Sequence, residues 1–534
     1  MGSKGSMRYL LGVAALMAFC CSFAHAQGAC PAGVPVTGNN CYFIAANGAD
    51  TNNGTSESTP WLHAPGMTNC ANICAGVTPS AGTGFIFRGG DTWHASTGSP
   101  VGLPWAWRWS GSSGSPIYIG VDKTWYAGGS WTRPVLTYDN PPSATQVASC
   151  TYDDSTSAAA ITLNTVHYVQ LDDFEFTGMC HSTQPAFGHA TYINWIGGTY
   201  NTLSNNYFHG WTHTACVSEG TYCDTARAIT GSTGAGSGQG DVQVGNLIDG
   251  SDADGVSMFA VYGDCYDFQQ NIVRYVSNGA VCTNRHTVHD NLFEHICLSY
   301  DHASHANVYE DVRAWASGNF FYNNLIRDVA ATNNFGVWLK TGTDTSTDWI
   351  YNNVFYSLST LNCFLQTQYS SISTNTINYV NNTNDGCVIQ FNGNSDSAPY
   401  TGTFNFENDH FVGYSAQNLA AVWTNANGRY AGHANVVNLG GEIYQSEATA
   451  NGQGYTHSNN YAPTSGSDAT VGAGNNLTSS CGAAGSALCS DTTLGNTRTP
   501  NPRPSTGAWV AGAYLYAGTG SAPKPPTGLT AVVR

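Results

Sequence analysis

The feature that most constrains the fold is an asparagine, once an aspartate, that returns along the middle of the chain and is followed by mostly apolar residues. It occurs at nine positions: Asp173, Asn206, Asn246, Asn271, Asn291, Asn324, Asn353, Asn382 and Asn408. By subtraction, the intervals are 33, 40, 25, 20, 33, 29, 29 and 26 residues. Such spacing is too irregular for a helical solenoid and is typical of a β-solenoid whose turns differ in loop length.

A polar side chain cannot recur inside a protein core without a hydrogen-bond partner. The amide oxygen of one asparagine can accept a hydrogen bond from the amide NH2 of another, so asparagines stacked on successive turns satisfy one another. We therefore predict an asparagine ladder at a tight bend. Strand-forming segments such as Phe320 to Ile326 and Trp349 to Phe355 flank the repeat. One long domain is allowed, because a solenoid grows by adding turns.

The N-terminus predicts export. Lys4 and Arg8 precede the apolar run Tyr9 to Phe19, and Ala24 to Ala26 supply small residues for cleavage before Gln27. No other segment is long and apolar enough to span a membrane. We divide the chain into a signal peptide (1–26), an N-terminal cap with the first coils (27–140), a coil core (141–463), a C-terminal capping region (464–521) and a Pro-rich tail (522–534).

Cysteine spacing also indicates an oxidising compartment. Of 17 cysteines, Cys20 and Cys21 fall in the signal peptide, which leaves 15. Four pairs are close in sequence: Cys30 with Cys41, Cys70 with Cys74, Cys216 with Cys223, and Cys481 with Cys489. We predict disulfides there, with metal binding as the open alternative. The odd count leaves at least one free thiol, for which Cys297 is our candidate.

Charge excludes one class of partner. The chain has 17 basic and 34 acidic residues. Removing Lys4 and Arg8 with the signal peptide leaves 15 basic residues, a net charge of −19 with histidine neutral. Nucleic-acid binding needs a basic surface, so we do not expect a nucleic-acid partner.

A second set of strands can be aligned between the asparagines: Asn307 to Asp311, Val337 to Thr341, Cys363 to Thr367, and Cys387 to Phe391. This alignment places Glu310, Lys340, Gln366 and Gln390 in one column and Cys363 over Cys387. Neighbouring turns are about 4.8 Å apart, so we expect Glu310 to meet Lys340 and the two cysteines to be close enough for a bridge. The Glu310 and Lys340 pair is either a cross-turn salt bridge or part of a site.

Three N-terminal segments, Tyr42 to Trp61, Gly84 to His94 and Gly114 to Leu136, resemble secreted right-handed parallel β-helix proteins of the pectate-lyase-like superfamily. With the repeated asparagine corners, the resemblance covers roughly residues 41–460. It implies an all-β fold, a single-stranded right-handed parallel β-helix with an N-terminal cap.

The resemblance is less specific for activity. Of the motifs of a polygalacturonase-like hydrolase, only an Asp172 and Asp173 pair is present. The segment Leu298 to His302 resembles a pectate-lyase pattern, but the arginine-rich motif that accompanies this pattern is missing.

The richest set of candidate catalytic residues lies between Arg274 and Lys340. A lyase acting on a uronic acid polymer needs a cation to neutralise the carboxylate, a base for the α-proton and an acid for the leaving oxygen. We assign Arg313 as the cation, Lys340 or a histidine as the base, and His302 or His305 as the acid. For substrate binding we name Arg285, His286 and Trp338. Ca2+ is the one cofactor that we consider, held by Asp301, Glu310 and Asp311.

These patterns predict a secreted carbohydrate-active protein that cleaves an extracellular polysaccharide, by β-elimination if the polymer is uronic, and they favour a lyase over a hydrolase. The alternative is a non-catalytic structural or adhesive surface protein. The acidic net charge counts against a polyanionic substrate, so a neutral glycan stays open. The tryptophans at Trp105, Trp107 and Trp109, with Trp125, Trp131, Trp195 and Trp211, either bind sugar rings or pack in the core.

Overall fold

The computed structural model describes residues 28–152, 159–181, 190–214, 226–231, 238–253, 258–283, 285–296, 307–312, 318–329, 338–341, 347–358, 366–368, 376–386, 403–413 and 435–516. The predicted signal peptide and Pro-rich tail lie outside these ranges, as do Cys216, Cys223, Cys297, Cys363 and Cys387. Almost all regular structure in the described residues is β-strand.

Three long sheets run along the molecule. Sheet 1 has 13 strands in this order: Asn40–Ile44, Thr83–Gly89, Ile117–Tyr126, Val169–Asp172, Thr202–Ser204, Val242–Val244, Asp267–Gln269, Thr287–His289, Phe320–Tyr322, Thr347–Tyr351, Thr376–Val380, Thr403–Glu407 and Asn435–Asn438. Sheet 2 has 12 strands: Thr92–His94, Val135–Thr137, Glu175–Thr177, Tyr207–Phe208, Leu247–Asp249, Ile272–Val276, Leu292–Ile296, Leu325–Val329, Val354–Leu358, Thr383–Asp385, His410–Val412 and Ile443–Gln445.

Sheet 3 has nine strands: Trp105–Ala106, Ala159–Thr162, Thr191–Asn194, Ala226–Thr230, Met258–Gly263, Asn278–Cys282, Tyr309–Val312, Trp338–Thr341 and Gln366–Gln368. Cys180–His181 and Thr212–His213 form a separate two-stranded sheet. The helices are short: α-helices Asn72–Gly76, Glu447–Gly452 and Cys481–Ala484, and 3-10 helices His457–Asn459, Thr478–Ser480 and Ser486–Cys489.

The chain visits the sheets in the order 1, 2, 3 on each complete coil. One such coil runs through Thr287–His289, Leu292–Ile296 and Tyr309–Val312, and the next coil begins at Phe320–Tyr322. Each strand pairs in parallel with the equivalent strand of the next coil. The predicted fold is therefore confirmed: the chain is a single-stranded right-handed parallel β-helix.

Apolar side chains from the sheets fill the interior of the coil. In sheet 1 the inward column includes Phe268, Val288, Phe321 and Ile350, and in sheet 2 it includes Val273, Phe293, Ile326 and Phe355. All eight side chains are at most 3% exposed. Burial of one such side chain contributes about 1.5–3 kcal/mol, so continuous columns of this kind hold successive coils together.

Tryptophans strengthen the N-terminal half of this core. Trp105, Trp107, Trp195 and Trp211 are at most 1% exposed, and Trp125 is also buried. Of the two roles open for these residues, the structure therefore supports core packing rather than contact with sugar rings.

Asparagines pair at the corner between sheets 1 and 2. Asn291 Nδ2 donates to Asn324 Oδ1 at 3.0 Å, and Asn324 Nδ2 donates to Asn353 Oδ1 at 3.1 Å. The same contact joins each successive member of the asparagine column, which comprises Asn206, Asn246, Asn271, Asn291, Asn324, Asn353 and Asn382. The second hydrogen of each Nδ2 group is donated to a backbone carbonyl. For example, Asn324 Nδ2 donates to the Val288 carbonyl at 3.0 Å. These buried amides are thus well satisfied.

At both ends of the repeat, the sequence pattern predicts the column residue one position too early in the chain. The last asparagine of the column, Asn382, donates to Asp409 and not to Asn408, and at the other end the backbone N–H of Phe174 donates to Asn206 Oδ1. Asp173 and Asn408 both have φ 63°, in the left-handed region. They occupy the turn position that precedes each column residue, where asparagine, aspartate and glycine are favoured for their backbone conformation.

The predicted register of sheet 3 is wrong by one residue. Glu310 pairs with Leu339, and Lys340 pairs with Asp311 on one side and Thr367 on the other. A shift of one residue moves every side chain of a strand to the other face. Glu310 and Lys340 are therefore not members of one column, and the salt bridge expected from that register does not follow.

Five disulfides join described cysteines. Three were predicted: Cys30 to Cys41, Cys70 to Cys74, and Cys481 to Cys489. Two others, Cys150 to Cys180 and Cys265 to Cys282, span longer sequence separations of 30 and 17 residues. Local spacing was therefore a good guide only for bridges within a single loop.

The C-terminal region lies along the asparagine corner of the coil. Tyr351 Oη donates to the Ala484 carbonyl at 3.0 Å, and the Gly495 backbone N–H donates to the Asn323 carbonyl at 2.9 Å. The buried Arg503 guanidinium donates to Asn352 Oδ1 at 3.3 Å. The chain thus returns over coils that it has already formed. Among the described residues, no helix has both the length and the apolar character needed to cross a membrane.

Candidate functional site

Sheet 2 presents a row of polar side chains, formed by Asp249, Arg274, Glu294, Arg327 and Tyr356 on five consecutive coils. Arg274 Nη2 lies 2.6 Å from Asp249 Oδ2, and its Nη1 lies 3.4 Å from Glu294 Oε1. Arg327 Nη2 lies 2.7 Å from Glu294 Oε2. Charges of opposite sign therefore alternate along the coil axis.

Burial and ion pairing have opposite effects on the pKa values of the two arginines in this row. Burial lowers the pKa of Arg327, but its hydrogen bonds to Tyr356 and Glu294 outweigh that effect and raise the pKa above its ordinary value. The pKa of Arg274 is raised in the same way, with burial opposed by Asp249 and Glu294. Both guanidiniums are thus firmly charged, and both are partly exposed, at 23% for Arg274 and 27% for Arg327.

On most coils the residue that follows the row position occupies a bend where the backbone turns left-handed; Gly250 and Ser357 are exceptions. On four coils this bend position is a glycine with positive φ: Gly178 at 75°, Gly210 at 66°, Gly386 at 70° and Gly413 at 82°. On three consecutive middle coils the same position is Tyr275, His295 and Asp328, with φ of 54°, 52° and 54°. Each of these three residues directly follows a member of the row, and the strand pairing places those members, Arg274, Glu294 and Arg327, over one another.

This exchange of glycine for larger residues has an energetic cost. A residue with a Cβ atom in the left-handed region is strained by roughly 1–2 kcal/mol relative to the right-handed region, whereas glycine is not. Three strained residues in register persist only if the surrounding structure compensates for them, and such positions cluster at functional sites. We call Tyr275, His295 and Asp328 the bend triad.

The bend triad brings an aromatic ring, an imidazole and a carboxylate together at the surface. The rings of Tyr275 and His295 stack with centroids 4.6 Å apart and an interplanar angle of 14°. Ligand atoms of Glu294, His295 and Asp328 all lie within 4.8 Å of one another. Asp328 has a side chain that is 40% exposed. These groups can stack on a sugar ring, form hydrogen bonds and transfer protons.

The C-terminal region forms one side of this surface. Tyr356 Oη donates to Asn460 Oδ1 at 2.8 Å, and the Tyr356 ring stacks with that of His457 at 5.2 Å. Asp385, on the coil after Tyr356, accepts hydrogen bonds from His457 Nε2 at 3.0 Å and Tyr461 Oη at 2.5 Å. The row therefore runs beside a wall that carries further aromatic and imidazole groups.

At the N-terminal end of the row, His209 lies between two carboxylates, 2.8 Å from Asp252 Oδ2 and 3.2 Å from Glu175 Oε1. Burial lowers the pKa of His209, but these two partners outweigh it and raise the pKa to about 9. The imidazole is thus protonated at neutral pH. Its ring stacks on Tyr207 at 4.2 Å.

The residues predicted from sequence fall into different parts of the coil. Arg313, His302, His305 and Asp301 lie outside the described residues. The catalytic roles of Arg313, His302 and His305 and the metal-binding role of Asp301 stay predictions.

Lys340 and Trp338 belong to strand Trp338–Thr341 of sheet 3, away from the row on sheet 2. Arg285 is exposed, whereas His286 is fully buried and hydrogen-bonded to Tyr309. A fully buried imidazole cannot touch a polymer outside the coil, so the substrate-binding role predicted for His286 is wrong.

The Ca2+ hypothesis finds little support in the donor groups. Glu310 and Asp311 are consecutive residues of one strand, and consecutive side chains point to opposite faces of a sheet. Within the described part of the chain, Glu294, His295 and Asp328 are the one group with the proximity of metal ligands. It contains an imidazole, while Ca2+ prefers six to eight oxygen ligands, and Glu294 is already paired with two guanidiniums. These residues do not fit Ca2+.

Sequence analysis missed the bend triad although a signal existed. Each bend residue is the fourth after its column residue: Gly210 follows Asn206, Tyr275 follows Asn271, His295 follows Asn291, and Asp328 follows Asn324. Aligning the coils on the asparagines would have shown glycine giving way to larger side chains. Only the structure adds that the backbone at these four residues is left-handed.

The comparisons with known proteins give remote likenesses. No protein-family model and no curated protein matches the sequence. Among solved structures, the chain is similar to the GH136 lacto-N-biosidase from Eubacterium ramulus, with 12% identity and a TM-score of 0.39 over 76% of this chain and 67% of that one.

It is also similar to pectate lyase Pel9A, with 13% identity and a TM-score of 0.36 over 89% and 96% of the two chains. A mutant of the PL6 family alginate lyase AlyGC has 12% identity and a TM-score of 0.38 over 69% and 47%. Likenesses at this level do not bear on activity. The fold itself is established by the strand pairing.

Proposed function

We propose that this chain is an exported carbohydrate-active protein that binds an extracellular polysaccharide along sheet 2 and cleaves it at the bend triad. The observation that carries the proposal is the bend position itself. Four other coils meet its positive φ with glycine, whereas three consecutive middle coils place Tyr275, His295 and Asp328 there.

The chemistry of the bend triad suits a polysaccharide. Tyrosine and histidine rings offer apolar faces to sugar rings, and their polar atoms bond hydroxyl groups. Imidazole and carboxylate groups move protons near neutral pH. Equivalent side chains repeat about every 4.8 Å along the coil axis, so an extended polymer can contact several coils at once.

For a uronic polymer, cleavage would be a β-elimination. His295 would take the proton α to the carboxylate, the freed electron pair would form the double bond, and the bond to the β-oxygen would break. That oxygen leaves with a proton from an acid, for which His302 and His305 stay candidates, and Arg313 stays the predicted cation. In this proposal His295 replaces Lys340 as the base, since Lys340 lies on sheet 3.

For an uncharged polymer, cleavage would be a hydrolysis. Asp328 or His295 would protonate the leaving glycosidic oxygen, and the other would accept the proton of an attacking water. Both routes need the same bend residues, so one set of variants tests either route.

The test compares His295→Gly with wild type on a panel of polysaccharides: alginate, polygalacturonate, a glycosaminoglycan, xylan and a galactomannan. Reducing ends report any cleavage, and ultraviolet absorbance of an unsaturated product reports elimination. We expect wild type to cleave at least one polymer and His295→Gly to lose at least about 100-fold in rate, the scale of general acid and base catalysis. Glycine restores the residue that other coils have, so the fold should be retained.

Gln270→Gly is the matched control. Gln270 is an exposed residue with φ 57° at the asparagine corner, outside the row and the bend triad. The Gln270→Gly variant should relieve a similar backbone strain without changing the rate of polysaccharide cleavage. Binding without cleavage by wild type would favour the adhesive alternative, and equal loss of activity in both variants would remove the bend triad from the mechanism.

A further inference from the structure

We infer that the polysaccharide bound along sheet 2 is uncharged, with neither carboxylate nor sulfate groups. This inference rests on the proposed function and specifies its substrate class. It follows from how the cations of the row are already partnered.

Both guanidiniums of the row are occupied by carboxylates of the protein. Arg274 lies between Asp249 at 2.6 Å and Glu294 at 3.4 Å. Arg327 contacts Glu294 through Nε at 2.9 Å and Nη2 at 2.7 Å, and its Nη1 bonds Tyr356 Oη at 3.4 Å. The carboxylates of Asp249 and Glu294 are 2% and 8% exposed, so solvent does not compete for these contacts.

A polymer carboxylate would therefore have to displace a buried protein carboxylate. Charge-assisted pairs of this kind are the strongest hydrogen bonds of a protein, and removing one partner leaves the other charge buried without compensation. The favourable ion pair between an anionic polymer and an arginine would be offset by the loss of that arginine's ion pair with Asp249 or Glu294.

The charge of the surface as a whole points the same way. The row and its bend triad contain the two guanidiniums and three carboxylates, those of Asp249, Glu294 and Asp328, and Asp385 extends the row with a fourth. Further along the row, the protonated His209 lies between Glu175 and Asp252. The described part of this surface is thus net negative and repels a polyanion.

An uncharged polymer avoids both penalties. Its hydroxyl groups can donate to the exposed Asp328 carboxylate without breaking an ion pair of the row. Its ring faces can pack on the stacked rings of Tyr275 and His295. The alternating charges then act as a fixed frame of donors and acceptors and not as a cation-binding or anion-binding patch.

The test is affinity electrophoresis of the whole mature protein through gels that contain arabinoxylan, galactomannan, alginate, polygalacturonate or chondroitin sulfate, at low and high salt. We expect retardation by at least one uncharged polymer, unchanged by salt, and none by the three polyanions. Stronger retardation by a polyanion that falls with salt would overturn the inference while leaving polysaccharide binding in place. No retardation by any polymer would overturn both the inference and the proposed function.

Glu294→Gln provides a second, independent measurement. It removes the carboxylate that both arginines share, so it frees Arg327 from its carboxylate partner at 2.7 Å and leaves Arg274 paired with Asp249 alone. We expect at least about a tenfold gain in alginate or polygalacturonate affinity, corresponding to about 1.4 kcal/mol, and we expect the gain to disappear at high salt. No gain in a variant whose melting curve shows a folded protein contradicts the inference.

The matched control is Glu407→Gln, which removes the same charge from strand Thr403–Glu407 of sheet 1, outside the row. It should leave the binding of polyanions unchanged. A gain equal to that of Glu294→Gln would mean that net charge alone excludes polyanions and would remove the row from the argument. The salt response of wild type supplies a readout even if Glu294→Gln does not fold.

Discussion

The aspartate at the end of the asparagine column makes a strong prediction about stability. Asn382 donates to Asp409 Oδ1 from its backbone N–H at 2.7 Å and from Nδ2 at 3.2 Å. Every asparagine of the column also sends Nδ2 to a backbone carbonyl three residues before the preceding column position, as Asn382 does to Ile350 at 3.0 Å. For Asp409 the corresponding acceptor is the carbonyl of Tyr379. Among the described residues, Asp409 Oδ2 has no hydrogen-bond partner.

The environment of Asp409 opposes its negative charge. Burial is the main cause that raises the pKa of Asp409 well above its ordinary value, and the carboxylates of Glu442 and Glu407 raise it further, against the hydrogen bonds from Asn382. Glu442 itself has a pKa raised by burial to about 7. The protonated acid resembles an asparagine, because its O–H can donate where an amide N–H would.

We predict that Asp409→Asn stabilises the protein increasingly as the pH rises. Asparagine supplies a permanent donor for the Tyr379 carbonyl, worth about 1 kcal/mol. In addition, each unit by which the native pKa of Asp409 exceeds the unfolded value costs wild type about 1.4 kcal/mol once the pH is above the native pKa. A raised carboxyl pKa contributes stability that is present below about pH 3.8 and is lost as the pH rises toward the native pKa. The advantage of the variant should therefore begin near pH 4 and grow.

Chemical denaturation of wild type and Asp409→Asn from about pH 3 to about pH 8 measures this difference. The matched control is Asn382→Asp, which introduces a second acid one coil earlier and should destabilise with the same pH trend. A variant no more stable than wild type at neutral pH, or an advantage that does not change with pH, would refute the reasoning. Either result would mean that Asp409 is ionised in the native protein and that favourable contacts offset the cost of burying its charge.

Three further predictions concern other contacts of the coil. Asn324→Ala should cost about 3–5 kcal/mol in denaturant unfolding, because it leaves the buried amide of Asn291 without its acceptor and the Val288 carbonyl without its donor; a loss below about 1 kcal/mol would mean that buried water replaces the amide. Replacing Cys265 and Cys282 by alanine should cost about 3 kcal/mol for a closed loop of 17 residues, measured by denaturant unfolding of the variant and wild type without reductant. His209→Gln should flatten the pH dependence of the melting temperature: the raised pKa of His209 contributes stability below about pH 6.5 that is lost as the pH rises through about 9. An unchanged slope over that range would show that Asp252 and Glu175 do not stabilise the imidazolium.

The sequence by itself determined the coil and the spacing of its turns. Buried asparagines are rare unless they satisfy one another, so their recurrence from Asn206 to Asn382 allowed one arrangement of the chain. The short-range disulfides could equally be predicted, because Cys70 and Cys74 are only four residues apart in the sequence. Both inferences depend on residues that are close in sequence or repeat at corresponding points of each turn.

The tertiary structure decided which side chains lie together on one face of the coil. The register of strand Trp338–Thr341 differs by one residue from the register predicted by aligning the sequence segments. A shift of one residue moves the side chains of a strand to the opposite face of the sheet. The roles of Asp173 and Asn408 depend on φ, which the sequence does not specify for an asparagine or aspartate next to a turn. Likewise, a tyrosine, a histidine and an aspartate four residues after an asparagine look ordinary until the backbone shows that glycine would serve better there. The sequence determined how the chain repeats, but dihedral angles and strand register determined where that repeat changes, as it does at the bend triad.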